Sequence, residues 1–127
     1  MCLFDKKRFR LSIKPITVYK IWLIDKNTKP YVFSPYEGCP IKKYMFGGFG
    51  SPAKCYGYMF GKGFLHAFQT LEDAKANMRC LLAIDDCKKY EILKCTIPSF
   101  VRYAKGGFGN ICSRFLIVND YELLSKL

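Results

Sequence analysis

Ile16-Thr17-Val18-Tyr19-Lys20-Ile21-Trp22-Leu23-Ile24 is built almost wholly of β-branched, aromatic and aliphatic residues. That composition suits a pleated strand better than a helix. Alternation sets Ile16, Val18, Lys20, Trp22 and Ile24 on one face, and Thr17, Tyr19, Ile21 and Leu23 on the other. Lys20 alone interrupts the first face, so the strand is expected at or near the centre of a sheet.

Outward from this strand, Asp25–Pro30 reads as a turn and Tyr31–Phe33 as a short returning strand. On the other side, residues 1–14 interleave Lys6, Lys7, Arg8, Arg10 and Lys14 with Phe4, Phe9, Leu11 and Ile13 before Pro15 breaks the run. This pattern suits a short edge strand. Ser34–Gly63 is too rich in Gly and Pro for long elements. Within it Tyr44-Met45-Phe46-Gly47 recurs as Tyr58-Met59-Phe60-Gly61, which reads as a strand–turn duplication within a hairpin.

Phe64–Phe68 reads as a strand running straight into a helix. Thr70 is the expected N-cap, with Asp73 three residues on in a capping-box-like arrangement. Leu71, Ala74, Met78, Leu81 and Leu82 share one helical stripe, while Glu72, Asp73, Lys75 and Arg79 point away. The spacing predicts a helix over residues 71–83. Tyr90–Ile97 and Ile111–Val118 read as strands, Val101–Tyr103 as a short extended piece, and 120–127 as a terminal helical turn. The expected fold is one α+β domain over residues 1–127: a twisted, mostly antiparallel sheet with one principal helix on one face.

The chain has 127 residues, half of them hydrophobic, which is enough for one compact core and argues against disorder. Lys and Arg number 21 against 10 Asp and Glu, a formal net charge of +11. Folding does not need such an excess and is opposed by its self-repulsion, so a polyanionic partner is expected. Seven cysteines, an odd count without a CxxC pair, argue against a complete disulfide framework and a zinc ribbon. Most are expected to act as small buried hydrophobes in the reducing cytoplasm. No apolar run approaches the roughly 20 residues needed to cross a bilayer, and no membrane partner is expected.

Aromatic residues make up 17% of the chain, and they mingle with cations and glycines. Ring faces stack bases, cations neutralise phosphates, and closely spaced glycines let backbone N–H groups approach a phosphate. The leading expectation is therefore a non-enzymatic binder of a phosphate-bearing ligand, foremost a small nucleotide, with a cyclic signalling nucleotide as one example. Lys62 and Lys105 would supply charge, and Gly61, Gly63, Gly106 and Gly107 backbone donors. Tyr58 or Tyr103 would stack the base, Arg102 or Arg114 would grip phosphate bidentately, and His66 would line the site. A subunit interface of a homo-oligomer would suit such a pocket.

If the ligand is instead a nucleic acid, Lys6, Lys7, Arg8, Arg10, Lys42 and Lys43 would carry the charge. A flat basic stripe with exposed aromatics would mark that case. A third reading is a module that docks on an acidic protein surface. A fourth is an enzyme using His66, the sole histidine. Catalysis is not favoured: GxSxG, HExxH and a dense acidic cluster are all absent, and no catalytic residue, metal or cofactor is assigned. Small size, basic charge and lack of enzyme motifs suit an accessory protein of a virus or mobile element.

Overall fold

The computed structural model describes residues 10–27, 32–35, 40–47, 54–55, 58–59, 64–85 and 87–126. The strands are β1 (Arg10–Leu11), β2 (Ile16–Ile24), β3 (Val32–Phe33), β4 (Tyr44–Phe46), β5 (Lys54–Cys55), β6 (Tyr58–Met59), β7 (Leu65–Phe68), β8 (Lys89–Ile97), β9 (Arg102–Lys105), β10 (Asn110–Ser113) and β11 (Phe115–Val118). The helices are α1 (Leu71–Ile84) and the short α2 (Glu122–Ser125). One antiparallel sheet runs β1-β9-β10-β7-β2-β8-β11-β4, with β3 beside β2. β5 and β6 form a separate two-stranded ladder. The chain is thus an α+β fold with one main helix.

β2 has the bounds its composition predicts and is central. It pairs with β8 over its full length, from Ile16 opposite Ile97 to Ile24 opposite Lys89. Val18, Ile21 and Trp22 are wholly buried, and so is Lys20. α1 starts where the capping signal places it: the Thr70 hydroxyl oxygen accepts from Asp73 N–H at 3.1 Å and its O–H donates to the Asp73 carboxylate at 2.7 Å. α1 ends at Asp85, whose backbone turns extended.

Two apolar layers flank the sheet. Ile21, Phe64, Phe68, Ala104 and Cys112 meet Ala74 of α1, with Met78 and Leu81 packed alongside. On the opposite face Val18, Trp22, Leu65, Leu93, Cys95, Ile111, Leu116 and Val118 pack with Val32, Met45 and Leu124 of α2. Burial pushes the Cys95 and Cys112 thiols up to about 12, so both behave as small hydrophobes at neutral pH. Cys80 and Cys87 are exposed.

Two sequence expectations are corrected. The run Ile111–Val118 is not one strand but two, divided at Arg114. Arg114 N–H donates to Arg102 C=O at 3.0 Å, while its own C=O accepts from Gly47 N–H at 2.7 Å. The bend lets one continuous run serve β7 and β9 in its first half and β8 and β4 in its second. It also places one residue out of alternation, as a bulge does, so that Cys112 and Phe115 lie on the same face. The two repeat copies do not form a hairpin together either: Tyr44–Phe46 pairs with β11, and Tyr58–Met59 with β5.

Candidate nucleic-acid interface

α1 covers only part of its sheet face. On the β11–β4 side the same face continues as a row across four strands, Tyr44–Ile117–Thr96–Thr17, with Phe46 opposite Phe115 in the next row. Tyr44 is 53% and Phe46 70% exposed, although Met45 between them is buried at 3%. Strand alternation thus turns two rings outward for one apolar side chain turned inward. Phe115 ties the rings together, stacked on Tyr44 with centroids 6.3 Å apart and meeting Phe46 edge-on at 4.7 Å. Lys94 and Thr17 are exposed on the same surface.

Cations adjoin this cluster. Arg114 immediately precedes Phe115, and its guanidinium lies over the Phe64 ring, 4.8 Å from the centroid. That geometry is a cation–π contact and leaves the polar edge of the guanidinium available. The Arg114–Arg102 backbone bond extends the β9–β10 register, so the two arginines are cross-strand neighbours, both exposed. Among the described residues the ion pairs are Lys43–Glu122 at 3.6 Å and Lys88–Asp85 at 3.9 Å. Arg102, Arg114, Lys42, Lys94 and Lys105 enter neither.

The other expected site residues are dispersed. His66 is wholly buried, and so does not line a solvent-accessible site. Its Nε2 and Asn110 Oδ1 are 2.5 Å apart, while Asn110 Nδ2 donates to Gly107 C=O at 2.6 Å. That second bond turns Oδ1 toward the imidazole, so Nε2 carries the proton. Burial, and then the nearby Lys20 ammonium, lower the His66 pKa to about 3, so the ring is neutral. Lys20 Nζ donates to His66 C=O at 2.5 Å.

The Gly106–Gly109 turn is likewise engaged with its own fold. Gly106 N–H donates to Asn110 C=O at 2.8 Å, and Gln69 N–H to Gly109 C=O at 2.8 Å. Gly109 has φ +74 and backs onto the Asp73 carboxylate, which a Cβ there would strike. A carboxylate behind the turn opposes a phosphate in front of it. Lys105 and Gly107 are exposed, Tyr103 half-buried, Arg10 exposed on β1, and Lys42 and Lys43 exposed just before β4. Tyr58 falls in β6. Gly61, Lys62, Gly63, Lys6, Lys7 and Arg8 lie outside the described residues.

A concavity of about 390 Å³ lies where Asp25, Lys26 and Asn27 face Cys87, Lys88 and Lys89, and it contains none of the expected residues. No cluster of three or more His, Cys, Asp or Glu suited to a metal occurs among the described residues. Nor is any helix there long and apolar enough to cross a membrane. No protein-family model matches this chain, and no curated protein or solved structure does.

Sequence reasoning missed Phe46, Phe115 and Lys94. The signal was present in the alternation Tyr44-Met45-Phe46 and Phe115-Leu116-Ile117-Val118, where both parities are apolar although a single helix is available to cover one of them.

Proposed function

We propose that this protein binds single-stranded nucleic acid without catalysing a reaction. Bases stack on Tyr44, Phe46 and Phe115, and phosphates meet Arg102 and Arg114, with Lys42 and Lys94 at the margins. The observation that carries the reading is a three-ring cluster, with Tyr44 and Phe46 exposed and Phe115 half-buried, set beside two arginines that enter no ion pair among the described residues, on a part of the sheet face that α1 does not cover. Every base has a ring face, so stacking on such a platform tolerates sequence, while the arginines contribute the salt-sensitive part of the affinity. A broad surface of this kind suits a polymer better than an enclosed mononucleotide.

The test is fluorescence anisotropy with a labelled single-stranded oligonucleotide, a duplex of the same sequence, and a cyclic dinucleotide. Tight binding is expected for the single strand. Phe46→Ala combined with Phe115→Ala should weaken it by roughly tenfold or more. Preference for the cyclic dinucleotide, undiminished in that variant, would return the reading to a small-nucleotide pocket. No binding of any of the three would leave docking on an acidic protein as the better account.

A further inference from the structure

A second surface stands apart from the aromatic platform in chemistry. Leu11, Ile13 and Phe100 are 60%, 81% and 74% exposed. They are brought together by Ser12, which is buried at 2% and clamps two chain segments. Ser12 N–H donates to Val101 C=O at 3.0 Å, and Phe100 N–H to Ser12 C=O at 2.7 Å. The Ser12 hydroxyl donates to Pro98 C=O at 2.6 Å and accepts from Val101 N–H at 2.9 Å. With Ser12 turned inward, Leu11 and Ile13 on either side of it turn outward, and Phe100 is held beside them.

Phe100 adopts this position with φ +64, in the left-handed region that a bulky L side chain disfavours. Gly or Asn would take that backbone more readily, and a ring three-quarters exposed contributes little to the core. Stability alone would not place a phenylalanine here, and an exposed strained ring points to a contact outside the chain.

Charge narrows the choice of contact. Residues 10–14 and 98–102 carry Arg10, Lys14 and Arg102 and no acid. A second copy would set like charges face to face. Aliphatic Leu11 and Ile13 offer no stacking face to a base. What fits prongs that project from the surface, ringed by cations, is a partner that needs no matching pocket: an anionic lipid surface.

We infer that Leu11, Ile13 and Phe100, with Arg10 and Lys14, form an interfacial contact for anionic membranes. Such a contact needs no spanning helix. The absence of a long apolar run, which underlies the expectation of no membrane partner, does not bear on it.

Vesicle co-sedimentation tests the inference, comparing phosphatidylserine-rich with pure phosphatidylcholine vesicles. Binding is expected to the anionic vesicles only. Phe100→Gly should weaken it by roughly tenfold or more, from the lost apolar burial, with the melting temperature unchanged or raised, because Gly relieves the positive φ. Arg10→Ser and Lys14→Ser should each weaken it about fivefold. The inference is overturned by no vesicle binding, by equal binding to both vesicles, or by undiminished binding of Phe100→Gly. It is equally overturned if Phe100→Gly loses capture of a polyglutamate peptide while vesicle binding is untouched, since the patch would then serve an acidic protein.

Discussion

The two halves of one sheet face differ first in what covers them. Under α1, Ile21, Phe68, Ala104 and Cys112 are buried at 1% or less. On the β11–β4 half, Tyr44 and Phe46 stand more than half exposed, and Phe115 bridges them. Both halves carry aromatic rings. Among the described residues, only one has a helix over it. Aromatic content therefore does not distinguish core from interface in this chain; coverage does.

The sharpest way to test that distinction is to remove one ring from each half. Phe68 is wholly enclosed and meets the His66 ring edge-on at 4.7 Å, so Phe68→Ala should cost about 3–5 kcal/mol in urea unfolding. Phe46→Ala opens no cavity and should cost less than about 1 kcal/mol by the same measurement. Its effect should appear in oligonucleotide anisotropy instead. Equal stability losses at the two positions would erase the comparison and make the platform a second core.

Acid provides the next largest contrast, because the covered half contains a histidine and the bare half contains none. His66 is neutral in the fold, with its pKa lowered to about 3 from 6.5. Between those values the unfolded chain holds one more proton than the folded chain. The stabilisation from a neutral His66 is thus fully present above about pH 6.5 and is lost progressively as pH falls toward 3. Between about pH 7 and pH 4.5 this should remove roughly 2–3 kcal/mol. In His66→Gln, whose amide can still donate to Asn110 Oδ1, the same pH change should cost markedly less. An unaltered acid slope in that variant would place the acid sensitivity elsewhere.

Much of this fold was legible in the chain because its strongest signals are local. Ile16–Ile24 matches its strand end for end, and Thr70 with Asp73 marks the first turn of α1. The break at Arg114 was not legible, since it arises from hydrogen bonds to Arg102 and Gly47, which are remote in sequence. His66 was expected to line a ligand site and is wholly enclosed, because Asn110 arrives from β10 to meet its ring. The bare platform was within reach of simple geometry. The five strands from β7 to β4, at about 4.8 Å spacing, span roughly 19 Å, whereas one helix is about 10–12 Å across. A chain with one principal helix must leave part of that face open, and the rings on the strands farthest from the helix were the ones to single out.

The finest contrast concerns charge rather than packing, and it falls at the seam between the halves. Arg114 touches both: its guanidinium caps the buried Phe64 ring, and its backbone leads directly into Phe115. Arg102 beside it has no ion-pair partner among the described residues. Replacing both with Ser should therefore cost only about 0.5–1 kcal/mol of stability, essentially the cation–π contact at Phe64. For a single strand, each phosphate contact contributes about 0.7 to the slope of log affinity against log salt, so the double variant should flatten that slope by roughly 1.4. If affinity fell equally at every salt concentration, the arginines would be acting by shaping the platform rather than by holding phosphate. If the slope did not change at all, the strand would run off the other end of the row, toward Lys94, and the division of labour between rings and arginines would have to be redrawn along β8.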